Sequence, residues 1–187
     1  NNCLKLLLNT NIKFSADNKK IYTGTWGFQI KQHDIASGNL DWNYDMREFD
    51  YYTAVQSLDI SPDNKYVVQS GKDNKIRILS ATDEKIIHDI ETWEGHKEWV
   101  NGIRFSPDWK RFATVSDDGL LKIWETATAQ TLFTFKGHTA GMNQLAWHPD
   151  GKHLASCSED GTVRLWTSDG IPTQTLIGHT GPVYQVS

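Results

Sequence analysis

Between Val100 and Glu125 the chain reads as three short runs rich in β-branched and aromatic residues, VNGIRF, RFATVS and LLKIWE. Runs of that make-up, bounded by Ser, Pro, Asp and Gly, predict strands. They fall at 100–105, 111–116 and 120–125, and a fourth is expected at 130–135. Hairpins turn at Pro107-Asp108 and at Asp117-Asp118-Gly119, where Asx side chains and Gly supply the backbone angles. No segment keeps a helical apolar period, so no helix is expected. Phe112, Thr114, Leu121, Ile123 and Trp124 put apolar or aromatic groups on both faces of this sheet. Such a sheet has to be sandwiched between other layers.

The same layout recurs along the chain. Anchored on the turns Ser15-Ala16-Asp17, Ser61-Pro62-Asp63, Ser106-Pro107-Asp108 and His148-Pro149-Asp150, the repeats start about 42–46 residues apart. Strands are expected at 9–14, 19–24, 28–34 and 38–44 in the first repeat, and at 55–60, 65–70, 75–79 and 85–90 in the second. The fourth repeat ends with a strand at Thr173–Ile177, and a further first strand is expected at Pro182–Ser187. The whole chain divides into repeats 4–48, 49–92, 93–135 and 136–177, with 178–187 opening the next. The stretch Asp41–Tyr52, DWNYDMREFDYY, departs from the pattern and reads either as a connection folded onto its own repeat or as a docking loop.

Repeat three opens on Gly95-His96 and closes on Trp124-Glu125; repeat four opens on Gly137-His138 and closes on Trp166-Thr167, and Gly178-His179 opens again. This text resembles the WD40 repeat, one four-stranded blade of a β-propeller. The resemblance implies an all-β fold of four antiparallel blades plus one extra strand. Both ends of the chain offer the same first strand, so the ring is expected to be larger, with seven or eight blades. The missing blades would come from a longer chain or a second copy.

Two sets of residues look at first like hydrolytic triads: His96, Thr114 and Asp118 with Trp124, and His138, Ser156 and Asp160 with Trp166. The resemblance assigns both to a structural tetrad, in which Asp accepts from imidazole, imidazole bonds the hydroxyl and the hydroxyl meets the indole N–H. A nucleophile needs an exposed hydroxyl and an oxyanion hole, whereas these hydroxyls lie mid-strand. The first two repeats are worn. Repeat two keeps Asp73 beside Tyr51, Gln69 and Leu79; repeat one keeps Thr23 beside Gly27 and His33. No tetrad is expected in either.

The resemblance further implies a non-catalytic scaffold, an assembly or adaptor subunit, with a sensory propeller of a larger signalling enzyme as the alternative. The expected partners are proteins or peptides. Contact positions on the upper rim carry over to Trp99, Asn101, Asn143 and Tyr184, and to Lys72, Asp117 and Glu159 before the turn Asp. An exposed Trp99 beside acidic residues suits a basic peptide. The Arg that in some relatives docks onto ubiquitin-ligase adaptors is missing, since the closest matches read Trp124-Glu-Thr-Ala and Trp166-Thr-Ser-Asp.

Bulk composition narrows the function further. A net charge of −4 without a Lys/Arg run gives no reason to expect nucleic-acid binding. No apolar run is longer than Leu6-Leu7-Leu8, against roughly 20 residues needed to span a bilayer. Cys3 and Cys157 stand far apart, so no disulfide is expected, and an intracellular location fits. His33, His88, His148 and His153 show no metal-ligand spacing. Neither a cofactor nor a metal is expected.

Overall fold

Period-two runs that are apolar on both faces can be satisfied only by stacking sheet on sheet, and the computed structural model does this four times. It describes residues 11–25, 29–45, 54–83, 85–91 and 95–187. Each repeat forms one antiparallel meander. Blade one holds β1 (Asn11–Phe14), β2 (Lys20–Gly24), β3 (Gln29–Asp34) and β4 (Leu40–Asp45). Blade two holds β5 (Val55–Ile60), β6 (Tyr66–Gly71), β7 (Ile76–Ser80) and β8 (Ile86–Ile90). Blade three holds β9 (Val100–Phe105), β10 (Arg111–Ser116), β11 (Leu120–Glu125) and β12 (Thr131–Lys136). Blade four holds β13 (Met142–Trp147), β14 (His153–Ser158), β15 (Val163–Thr167) and β16 (Pro172–Leu176).

The first strands β1, β5, β9 and β13 touch in that order, so they line the inside of the arc. Among the described residues β13 and β1 make no comparable contact. Three apolar cores fill the three gaps between blades. Tyr22, Ile30, Trp42, Leu58 and Leu79 lie between blades one and two. Ile78, Ile103, Phe112 and Trp124 lie between two and three, and Val115, Phe135, Leu145 and Trp166 between three and four. Trp124 and Trp166 therefore pack against the blade before their own, whereas Trp42 packs against the blade after its own. The outer faces lack a neighbour: Ile12 is 54% and Phe14 60% exposed on blade one, and Val163 and Leu165 are only half-buried on blade four.

The turns follow local chemistry. Ser15, Ser61 and Ser106 each donate through Oγ to the carboxylate two residues on, at 2.6 Å in all three. The same turn puts Asn18, Asn64, Trp109 and Gly151 at positive φ, between 53° and 66°. Only in the fourth is the residue one that adopts this region without a Cβ penalty. Trp109 is held there beside the Tyr66 ring, 6.4 Å away.

Registers repeat more faithfully than side chains. Every pairing of the third strand with the fourth shifts register at one place, immediately before His33, Leu79, Trp124 and Trp166. A bulge there bends the strand and re-aims the residue that follows. The backbone device thus persists in blades one and two, where the Trp is gone.

One expected element is missing. Pro182–Ser187 forms no strand. A strand exists by pairing its amides with a neighbour, and among the described residues no strand lies beside this one to pair with it. The segment crosses the edge of blade four instead, where the Val183 amide donates to the Ser158 carbonyl at 3.0 Å. In the aromatic stretch after Asp41, Trp42 and Tyr44 are buried on β4, and 46–53 lie outside the described residues.

Trp124 and Trp166 are both essentially inaccessible. Either Trp→Ala change opens a large inter-blade void and is expected to cost about 3–5 kcal/mol. Chemical denaturation checks this, and an unchanged midpoint contradicts the inter-blade role.

Candidate functional site: the upper rim and the polar clasps beneath it

In blade three His96 lies with Nδ1 2.9 Å from Asp118 Oδ2 and Nε2 2.7 Å from Thr114 Oγ1. The Trp124 indole N–H donates to that same hydroxyl at 2.9 Å. Blade four repeats the arrangement: His138 to Asp160 at 2.9 Å, His138 to Ser156 at 2.9 Å, and Trp166 to Ser156 at 2.9 Å. The hydroxyl accepts from the indole, so its single proton goes to Nε2, and Nδ1 carries the proton given to the carboxylate. Every buried polar atom of the set is then paired, and the imidazole is neutral.

Electrostatics agree with that assignment. Burial pushes His96 and His138 below the ordinary imidazole value, against the upward pull of Asp118 and Asp160. Burial would raise both carboxyls. Hydrogen bonds from His96 and the Lys97 and Leu120 amides instead hold Asp118 down, while Thr162, the Thr139 amide and His138 do so for Asp160. Thr114 and Ser156 are completely buried against indoles. No substrate can reach these hydroxyls, whatever their likeness to a triad.

Blade two solves the same problem differently. Its turn carboxylate, Asp73, takes Arg77 Nη2 at 2.6 Å, and Arg77 Nε stands 3.6 Å from Asp89. Arg77 is almost wholly buried, opposite Gln69 in the ladder. Tyr51, at the His position of this repeat, lies outside the described residues, as does Gly27 of repeat one. A sequence signal for Arg77 existed. Lys31, Arg77, Lys122 and Arg164 all sit across the ladder from the hydroxyl position, at Thr23, Gln69, Thr114 and Ser156. In blade one Gln32 donates to the Tyr22 hydroxyl at 2.6 Å, and Trp42 to the Ala81 carbonyl of blade two at 3.0 Å.

Above these clasps runs the rim. A residue at the start of each first strand, the first of β1 and the second of β5, β9 and β13, reaches toward the next segment. Asn11 Nδ2 donates to the Gln56 carbonyl at 2.8 Å, and Gln56 Nε2 to Asn101 Oδ1 at 3.4 Å. Asn101 Nδ2 donates to the Met142 carbonyl at 2.9 Å and to Asp117 at 2.6 Å; Asn143 Nδ2 donates to the Val183 carbonyl at 3.0 Å. Asn101 and Asn143, expected to meet partners, spend their amides on holding neighbouring segments. The sequence could not show this, because it depends on the stagger between blades.

The other rim residues remain outward. Trp99 is 43% and Tyr184 60% exposed. Lys72 Nζ stands 4.1 Å from the centroid of the Trp99 indole, and burial there lowers its pKa. The Asp117 amide donates to the Trp99 carbonyl at 3.0 Å, and the Glu159 amide makes the same bond to Gly141 one blade on. Asp117 and Glu159 therefore hold equivalent places beside the strand entries.

Four-stranded meanders stacked by their first strands, with buried Trp-hydroxyl-His-Asp sets between them, define a propeller-type repeat protein. The model for "WD domain, G-beta repeat" matches residues 46–80, 88–125 and 129–167, and the chain belongs to that WD40 family. It is 31% identical over 107 residues to the serine-threonine kinase receptor-associated protein of Bos taurus and 30% identical to that of Homo sapiens. These alignments cover 57% of this chain and 28% of each relative. The Gallus gallus protein of the same name is 29% identical over 86 residues. No helix among the described residues is long and apolar enough to cross a membrane.

Two predictions follow from the clasps. The folded pKa values of His96 and His138 are depressed, so unfolding takes up protons below the free imidazole value of about 6.5. Stability is fully present above that pH and declines as pH falls toward the folded values, by up to about 1.4 kcal/mol per pH unit for each His. Denaturant melts between neutral pH and pH 5 read this directly; a flat profile contradicts neutral, buried imidazoles. Asn101→Ala removes the clasp on Met142 and is expected to lower stability by about 1 kcal/mol, measurable in the same melts.

Proposed function

We propose that this chain is a protein-interaction platform that holds other proteins or peptides on the rim around Trp99, as a subunit or adaptor of a multiprotein assembly. The half-exposed Trp99 is the observation that carries the reading. Aromatic anchors at the centre of a surface dominate binding energies, and this one is mounted on a strand entry clamped from beneath by buried clasps. The WD40 family membership and the relatives named for association with serine-threonine kinase receptors support the same reading. For this chain only association with another protein is proposed, not that receptor class. The function needs no chemistry of its own.

A basic segment is the ligand that suits this rim. Lys72 already supplies a cation to the indole face, so the ring suits a Lys or Arg side chain, with Asp117 beside it and Glu159 at the equivalent place one blade on. The apolar faces left open on blades one and four (Ile12 and Phe14 at one end, Val163 and Leu165 at the other) are read as covered by further blades of a longer chain. An intracellular setting goes with the unpaired, buried Cys157, whose thiol burial pushes up to about 11.

An array of Lys- and Arg-bearing peptides, titrated against the chain and its variants, tests the rim. Trp99→Ala is expected to weaken the best binder by roughly 30-fold, the equivalent of about 2 kcal/mol. Asp117→Lys is expected to weaken it too. Lys72→Ala frees the indole face and is expected to tighten binding about 2–5-fold, the worth of an exposed cation–π contact. Equal affinity across all of these variants, or binding of acidic peptides alone, would overturn the proposal.

A further inference from the structure

At the opposite end of blade four from the rim, the turn joining β13 to β14 gathers two imidazoles and one carboxylate. His148 Nδ1 lies 3.1 Å and His153 Nδ1 2.7 Å from the same atom, Asp150 Oδ2. The three candidate ligand atoms all stand within 4.8 Å of one another. Spacing along the chain does not suggest a ligand set; the hairpin creates it.

The turn is fixed by its own backbone. The His148 amide donates to the His153 carbonyl at 2.9 Å, and the Gly151 amide to the His148 carbonyl at 3.0 Å. Gly151 takes φ 66°, which lets the chain close there. The carboxylate is fixed as well. Its Oδ1 accepts the Lys152 amide at 2.7 Å and the His153 amide at 3.2 Å, leaving Oδ2 aimed at both rings. Partners of that kind hold the ligating side chains in place at metal sites.

Both imidazoles face one carboxylate oxygen. With a proton on Nδ1, each ring donates to Asp150 Oδ2, His153 at 2.7 Å and His148 at 3.1 Å, and the Asp150 amide also approaches His148 Nδ1 at 3.3 Å. Without those protons the same atoms are three lone-pair donors within 4.8 Å of one another, which a cation can take in their place. Two nitrogen ligands select zinc, copper, nickel or cobalt over magnesium and calcium, which prefer all-oxygen sets. The two nitrogen–oxygen separations are close to the edge of a coordination shell with bonds of about 2.0–2.2 Å.

We propose that His148, Asp150 and His153 bind a divalent transition-metal ion of the zinc class. Both rings are open to solvent, at 64% and 52% side-chain exposure, so water completes the shell and the ion exchanges with bulk. Arg111 of blade three and Lys152 are the nearby positive charges. Arg111 is directed to the Gly151 carbonyl at 3.3 Å and lies over the Trp147 ring, while Asp108 lines the same groove. This site stands apart from the rim and does not depend on its function.

The test uses the whole chain without a histidine tag. Zn²⁺ is titrated by calorimetry, and Co²⁺ by its visible absorption, near neutral pH. One saturable ion per chain is expected, weakened at least about 10-fold by His148→Ala, by His153→Ala and by Asp150→Asn. The Asp150→Asn side chain keeps the oxygen that caps the turn amides, so a matched thermal melt shows that the fold is retained. His88→Ala, far from the turn, leaves affinity unchanged. Acidification weakens binding, because the imidazoles must shed their protons to coordinate. Failure to saturate by millimolar ion, or equal affinity in wild type and both His variants, overturns the proposal.

Discussion

In two of the three gaps between blades, the buried indole is accommodated by a single hydroxyl that receives its N–H and gives its own proton to an imidazole. Burying Trp124 and Trp166 against the preceding blade supplies the apolar driving force, but each indole brings a donor that cannot be left unpaired. An orphaned buried donor costs about 1–3 kcal/mol. Thr114 and Ser156 answer it, and their own protons need His96 and His138. The imidazoles need Asp118 and Asp160, which close the series at the surface with backbone amides. Each member is there because the previous one was buried.

The other two blades show what is indispensable in that chain of demands. Blade two has Leu79 in place of an indole, so it has no indole donor to satisfy, and the turn carboxylate binds Arg77 instead. Blade one has Gln32 and Trp42 donating across to the Ala81 carbonyl of blade two, and Gln32 donates also to the Tyr22 hydroxyl within its own blade. The bulge before the Trp position survives in both. Backbone geometry and apolar fill therefore stack the blades; the polar set pairs its buried atoms fully, whereas blade two leaves both side-chain polar atoms of Gln69 without a hydrogen bond.

Strands and turns of the middle and final blades were legible almost to the residue, because Asx-Gly turns and Ser-x-Asp turns punctuate them locally. The members of both polar sets were legible from their spacing and family likeness. What was not legible is tertiary. Pro182–Ser187 has the composition of a strand, but composition does not supply a ladder partner. Asn101 and Asn143 carry the right side chains for a rim contact, yet the offset between blades turns them onto backbone carbonyls. Arg77 was visible as one of four basic residues at equal positions; its burial follows from the loss of His and Trp around it. The approach of His148 to His153 is made by the hairpin closing, not by their separation along the chain.

The row of amides along the rim has a direction. Asn11, Gln56, Asn101 and Asn143 each give a hydrogen bond to the segment that follows, and among the described residues none gives one to the blade before. During synthesis the amino-terminal part folds first. A blade newly emerged from the ribosome therefore meets a donor already mounted on its predecessor, and docking sets the register for the next arrival. Disassembly from the carboxyl end would run the same sequence backwards, one released amide at a time, like a ratchet let down tooth by tooth.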